Sequence, residues 1–195
     1  MSSIINNVID STWPMILVSV VVISCLRLTY LIKNNKHFTL YKELFSLMSI
    51  IYVLVLFQIV TSQDVVSWST NNFVPFKEIF RYKIGSRLFL KNVLGNILLF
   101  LPYGFFTSYY LSEERPKLIV FLTLIGSVTI EVVQMSIGRV FDVDDILLNT
   151  LGGFIGFYVY LLFVNISKRL PNIFKSEIFL DICSIILLLG LLTLI

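Results

Sequence analysis

Charged side chains are scarce in this chain of 195 residues. Asp, Glu, Lys and Arg make up 14% of it, against roughly 25% in an average soluble domain. Hydrophobic residues account for 57%, and the mean hydropathy is +0.90. A water-soluble fold would lack polar surface at this composition, so the sequence predicts an integral membrane protein. The net charge of +3 is small and suggests no nucleic-acid partner.

Cysteine and histidine are almost absent. Cys25 and Cys183 both lie inside apolar runs, which offers no disulfide framework or CxxC motif and predicts buried thiols without a redox role. His37 is the single histidine and lies in a polar stretch, which disfavours a histidine-based metal site or catalytic triad. The first twelve residues carry no Lys or Arg, so the first apolar run lacks the basic region of a signal peptide and is expected to be a retained helix.

Long apolar runs dominate the rest of the chain. Each is close to the roughly 20 residues that a helix needs to cross about 30 Å of hydrocarbon. They predict an all-α, polytopic transmembrane helix bundle, forming one membrane domain over residues 1–195. The six predicted spans are 13–32, 44–61, 93–111, 118–137, 146–166 and 178–195.

A longer connection separates the second and third spans. Near residues 73–90 it mixes aromatic with basic side chains, and Phe76 and Phe80 are spaced to share a helical face after Pro75. This pattern predicts an amphipathic segment at the membrane interface. A partly ordered loop lying against the bilayer is the alternative.

The distribution of basic residues predicts an extracellular N-terminus. On this orientation the outer segments hold Arg139 and five basic residues of the 62–91 connection. An excess of basic residues on the cytoplasmic side then exists only if this connection is left out of the count, as a folded interfacial segment. The cytoplasmic connections then hold Lys33, Lys36, Lys42, Arg115, Lys117, Lys168, Arg169 and Lys175.

Polar residues interrupt the third, fourth and fifth apolar runs near their ends. A polar side chain within or beside a span is costly and usually marks a site or an internal polar contact. Members on one span are three or four residues apart and therefore share a helix face. Three span ends are predicted to meet in one outward-facing polar pocket. The predicted binding residues are Asn92, Asn96, Glu131, Gln134, Arg139, Asp142, Asp145 and Asn149.

Several interpretations of this cluster stay open. Glu131 is the candidate catalytic residue, as a general base. Together with Asp142 and Asp145 it also offers oxygen ligands for a divalent cation. Against this, Asp142 and Asp144 precede a helix, where acids cap free N–H groups and meet the positive end of the helix dipole. Arg139 is expected to pair with a carboxylate, and the two asparagines of the third span could serve helix contacts alone.

Glycines in the third and fifth spans predict close helix packing. Gly152 and Gly156 form a GxxxG spacing, which lets helix backbones approach closely. Gly95 is expected to do the same in the third span. Pro102 and Gly104 are expected to kink or loosen the middle of that span.

These motifs together resemble the VanZ-like family of membrane proteins. The resemblance rests on NVLGNILLFLPYGF, then EVVQ, then GRVFDVDDILLNTLGGFIG, in a core of about residues 75–160. It implies a bacterial plasma-membrane protein, in a family whose named member is associated with resistance to glycopeptides of the teicoplanin type. The matching residues are Asn92, Gly95, Asn96, Phe100, Pro102, Gly104, Glu131, Gln134, Arg139, Asp142, Asp145, Asn149, Gly152 and Gly156.

Four hypotheses about function are compatible with these residues. The first is a resistance or envelope factor with an outward-facing polar pocket, which binds or alters a lipid-linked cell-wall precursor or excludes a lipophilic glycopeptide antibiotic from the membrane. The second is a membrane enzyme acting on such a precursor, and the third is a small transporter with Glu131 as its protonatable group. The fourth is a purely structural polar clasp between helices. Membrane lipids are the expected partners, and the divalent cation is the one cofactor considered.

Overall fold

The computed structural model describes residues 2–61 and 71–194, with side chains described over 13–61 and 71–190. Within these ranges the chain is helical, with a single isolated β-bridge between Asn72 and Asp142. The all-α prediction is therefore confirmed. The helices are α1 (Ser2–Lys33), α2 (Leu40–Thr61), α3 (Lys77–Arg81), α4 (Arg87–Leu111), α5 (Pro116–Ser136), α6 (Val143–Arg169) and α7 (Glu177–Leu194), with a 3₁₀ turn at Asn172–Lys175.

Five of the described helices are long and apolar enough to cross a membrane, which confirms the first five predicted spans. Their bounds are wider than predicted; α4, for example, begins at Arg87 because the Ser86 hydroxyl accepts the Phe89 N–H at 3.1 Å as an N-cap. The sixth run forms α7, but the side chains at its end and residue 195 lie outside the described residues. A sixth crossing stays a prediction. The five spans are Trp13–Lys33, Leu40–Thr61, Arg87–Leu111, Pro116–Ser136 and Val143–Arg169.

The chain divides into two compact units, one from residues 1–62 and 169–195 and the other from residues 63–168. A single membrane domain that contains both units stays a prediction. In the first unit the Arg27 guanidinium donates to both Glu43 carboxylate oxygens, at 2.8 and 3.0 Å, and the Tyr41 N–H donates to Asp181 Oδ1 at 2.8 Å.

The thiols of Cys25 and Cys183 are free. Cys25 is exposed, contrary to the prediction of a buried thiol, because a hydrophobic run does not fix which side of a helix packs against protein.

The second unit holds α3 to α6, and α6 packs against α4 through glycines. A methyl group on Gly152 would overlap the Ile97 carbonyl, and one on Gly156 would overlap the Leu101 carbonyl. On the facing helix, a methyl group at Gly104 would overlap the Gly153 carbonyl. The helix backbones therefore touch at these points, with no room for a larger side chain.

One prediction about α4 is wrong, and another stays a prediction. Gly95 is not a packing glycine, since a methyl group there would meet only the Leu90 carbonyl of its own helix, at 3.8 Å, among the described atoms. Gly104 serves close approach to α6, and the helix Gly95–Leu111 continues through Pro102, whose nitrogen has no hydrogen to donate. A kink at Pro102 stays a prediction. The irregular part lies earlier, where Leu90–Leu94 forms a π-helical turn.

The predicted amphipathic segment near 73–90 contains α3 and the first turn of α4. The two helices are separated by a turn in which Gly85 adopts a φ of 81°. Its location at a membrane interface stays a prediction.

A matched pair of glycine substitutions tests these contacts. Gly156→Ala should lower the melting temperature of the detergent-purified protein, because the added methyl group forces α4 and α6 apart; overpacking typically costs about 1–3 kcal/mol. Gly95→Ala is the control and should leave the melting temperature unchanged or raise it, since alanine favours a helix over glycine by about 1 kcal/mol. Equal melting temperatures for both variants would contradict the packing described here.

Candidate functional site

The connection between α5 and α6 turns the chain back sharply. After Ser136, Gly138 takes a φ of 85°, its N–H donates to the Met135 carbonyl at 3.2 Å, and the Arg139 N–H donates to the Gln134 carbonyl at 2.9 Å. This pair of bonds is the Schellman motif, in which a left-handed glycine satisfies the last carbonyls of a helix. The start of α6 is thereby returned to the side of α5 that carries Glu131.

Glu131 is at the centre of the contact between the two helices. It is 1% exposed, and its Oε2 accepts the backbone N–H of Asp142 at 2.9 Å. In the amide orientation that satisfies both neighbours, Gln134 donates to Glu131 Oε1 at 3.0 Å and accepts from the Arg139 guanidinium. The Glu131 carboxylate thus receives hydrogen bonds from a backbone amide and from a side-chain amide.

Asp142 is the N-cap of α6. Its Oδ1 accepts the Asp144 N–H at 2.9 Å, two residues into the helix, which is the capping role expected of an acid at this position. Partial burial raises the pKa of the Asp142 carboxyl, and the neighbouring Asp144 and Glu78 carboxylates raise it further. The hydrogen bonds from the Asp144 N–H and from Asn72 act in the opposite direction.

Two further polar contacts join α6 to its neighbours. Asn96 of α4 donates to Asp145 Oδ1. One turn further along α6, Asn149 donates to the Ser127 hydroxyl of α5 at 2.9 Å. Asn149 Oδ1 is buried and has no hydrogen-bond partner in the described part of the chain. Side chains of α4, α5 and α6 therefore meet through short polar residues.

Asn92 does not take part in these contacts. It lies in the π-helical turn Leu90–Leu94 and makes no side-chain hydrogen bond to the residues that the structure describes. The assignment of Asn92 to the predicted pocket stays a prediction.

Asn72 belongs to the cluster but lies outside every predicted span. It forms a parallel β-bridge with Asp142: its N–H donates to the Phe141 carbonyl at 2.8 Å, and its carbonyl accepts the Val143 N–H at 3.0 Å. The side-chain amide also donates to Asp142 Oδ1 at 2.8 Å. No periodic signal marks such a residue, because its partner is 70 positions away in the sequence.

Asp144 has a role that the helix-capping interpretation did not foresee. It is 1% exposed, and its carboxylate accepts the backbone N–H groups of Phe76, Glu78 and Ile79. It therefore caps α3, whereas the cap of α6 is Asp142. Phe76 has a φ of 68°, a left-handed conformation that is costly for a side chain of this size. Asp144 helps to hold that conformation by accepting the Phe76 N–H.

The cluster carries more negative than positive side chains. Its carboxylates are those of Glu131, Asp142, Asp144 and Asp145, and Arg139 is its guanidinium. Among the described residues, no group of three Asp, Glu, His or Cys side chains is arranged to hold a metal ion. The suggested divalent cation at Glu131, Asp142 and Asp145 therefore stays a prediction from sequence.

The Asp144 contacts predict a local change on substitution. In Asp144→Ala, three backbone N–H groups lose their acceptor, and a buried donor left unsatisfied typically costs about 1–3 kcal/mol. Trypsin should then cleave the native protein faster at Lys77, Arg81 or Lys83. Glu78→Gln is the control, because it removes a carboxylate from the same helix and leaves the three N–H contacts to Asp144 intact. It should leave the cleavage rate near that of the parent. Equal rates for Asp144→Ala and the parent would show that the carboxylate does not hold this segment.

Comparison with known proteins identifies the family to which the chain belongs. No curated protein and no solved structure matches the chain. Residues 43–164 match the VanZ/LLP1 family, and this region contains α3 to α5, most of α2 and α6, and every residue of the polar cluster. Since the match covers more than half of the 195 residues, the chain belongs to the VanZ/LLP1 family of membrane proteins.

Proposed function

We propose that this protein is a bacterial envelope factor that raises tolerance to lipophilic glycopeptide antibiotics of the teicoplanin type. In this proposal the polar cluster binds a polar group of a lipid-linked cell-wall precursor or of the antibiotic. Two facts support it: membership in the VanZ/LLP1 family, and the convergence of Glu131, Asp142 and Asp145 from two helices with Arg139 beside them.

The convergence is the observation that carries the proposal. Buried carboxylates at the ends of membrane spans are costly and are usually retained for a site or an internal network. Here the cluster combines acceptors on Asp145 and Asn149 with the donors of Arg139. Such a mixture suits a ligand rich in hydroxyl, amide and amino groups, as both a glycopeptide and a peptidoglycan precursor are.

Glu131→Gln and Asp145→Asn, made separately, test the proposal. Each replaces a carboxylate by an isosteric amide, and losing a hydrogen bond to a charged group weakens binding about tenfold or more. The minimum inhibitory concentration of teicoplanin should fall toward that of cells lacking the protein, at unchanged abundance in the membrane fraction. Glu114→Gln, in the exposed connection between α4 and α5, is the control and should keep parental tolerance.

A structural clasp is the second candidate, and one observation favours it. Glu131 Oε2 and the Asp144 carboxylate are both occupied by backbone N–H groups of their own chain. If the cluster serves only folding, Glu131→Gln lowers membrane abundance and melting temperature together with tolerance. Loss of tolerance with normal abundance excludes this candidate, and full tolerance with normal abundance excludes the binding proposal.

The proposal also requires the cluster to face the outside of the cell. With Cys25 and Cys183 replaced by Ser, a single cysteine at Lys83→Cys should react with a membrane-impermeant maleimide added to intact cells. A single cysteine at Glu114→Cys should react only after the cells are opened. Both positions are exposed, so access to the reagent depends on the side of the membrane. The reverse labelling pattern would place the cluster inside.

A further inference from the structure

The connection between α2 and α4 exposes a group of large apolar side chains outside the candidate spans. Phe80 and Ile84 are 82% and 83% exposed. Phe73 keeps most of its surface exposed although it stacks on Phe141 with ring centroids 5.4 Å apart, and Phe76 lies 6.2 Å from Phe80. Apolar patches of this kind mark interaction surfaces, because water does not solvate them favourably.

The same stretch is strongly basic. Between residues 71 and 91 there is one acid, Glu78, and its carboxylate pairs with Arg81 at 3.0 Å. Five basic residues against this single acid leave a net charge of +4 in a stretch of 21 residues. The basic side chains are all exposed, and they are Lys77, Arg81, Lys83, Arg87 and Lys91.

The structure holds this stretch at the ends of two candidate spans. Asp144, in the first turn of α6, accepts the N–H groups at the start of α3, and Asn72 is bridged to Asp142. On the other side the chain runs directly into α4 at Arg87. The aromatic and basic side chains therefore lie beside the ends of two helices that are long and apolar enough to cross a membrane.

We infer that residues 73–91 form a binding surface for anionic phospholipid headgroups. The rings of Phe76 and Phe80 enter the interfacial layer, where aromatic side chains are favoured. Lys83, Arg87 and Lys91 meet lipid phosphates, to which basic clusters beside a span are attracted. Asp144 is a positioning residue in this arrangement, because it touches the backbone of the segment and not the lipid. This surface is distinct from the polar cluster, and the inference does not depend on glycopeptide tolerance.

A tryptophan at position 80 provides the probe. The full chain carries Phe80→Trp, with Trp13 and Trp68 replaced by Phe, and is reconstituted in phosphatidylcholine vesicles. Brominated phosphatidylglycerol or brominated phosphatidylcholine is then added at equal mole fraction. The anionic lipid should quench the fluorescence more strongly than the zwitterionic one. The ratio of the two quenching constants reports the preference, and it should fall as salt is added, since salt screens exposed charges.

Neutralising the basic residues identifies the source of the preference. Lys83→Gln, Arg87→Gln and Lys91→Gln together should reduce the ratio at least about fivefold, toward equal quenching by both lipids. Lys33→Gln, Lys36→Gln and Lys42→Gln remove three exposed basic residues at or near the α1–α2 connection and should leave the ratio of quenching constants unchanged. Lys83→Gln alone should reduce the ratio of quenching constants by a smaller factor. This single variant replaces the triple variant if the triple variant does not reconstitute.

Two results would overturn the inference. Absence of quenching by either lipid would mean that water or protein covers the segment. Equal quenching by both lipids in the parent chain, unaffected by the neutralising substitutions, would mean an interfacial segment without recognition of anionic headgroups. Reduced quenching of the position-80 tryptophan in Asp144→Asn or Asp144→Ala, with the melting temperature retained, would support the positioning role.

Discussion

The hydrogen bond from the Asp142 N–H to the buried Glu131 carboxylate is the contact on which this half of the molecule depends. It fixes the start of α6 against the end of α5, and the Schellman turn at Gly138 brings the chain into range for it. With Asp142 held there, its side chain can cap α6 and accept from Asn72. Asp144 then faces the start of α3. A buried carboxylate without donors would be costly, so the surrounding backbone is arranged to supply them.

The polar contacts between helices require close backbones. Asn96, Asp145, Asn149 and Ser127 have short side chains, which reach across only if the helices nearly touch. Glycines on α6 and α4 allow that approach, since a methyl group at Gly152, Gly156 or Gly104 would overlap a facing backbone carbonyl. Packing and the Asn96–Asp145 contact are therefore two consequences of the same short distance between α4 and α6. At Gly153, where a methyl group would overlap Thr123, α6 lies equally close to α5, to which Asn149 donates.

The cluster and the aromatic, basic stretch before α4 are physically connected. Asp144 and Asn72 each contact the stretch and the start of α6 at once. Asp144 and Asn72 therefore link the position of α3 to that of Asp142 and Asp145. This connection gives a reason for the buried position of Asp144, whose carboxylate would otherwise be solvated at a helix terminus.

Local sequence patterns alone determined the helical class, five spans, the glycine contacts at Gly152 and Gly156, and most of the polar cluster. Hydropathy, residue size and helical spacing are local properties that extend over one or two helical turns. They predict which residues share a face wherever the helix is regular. Only the tertiary structure decided that Asn92 makes no hydrogen bond to the polar cluster among the described residues and that Gly95 does not pack. It also decided that Asp144 binds a segment 65 to 68 positions earlier and that Asn72 pairs with Asp142, 70 positions later. Contacts between distant segments depend on how the chain turns back, which no local pattern records.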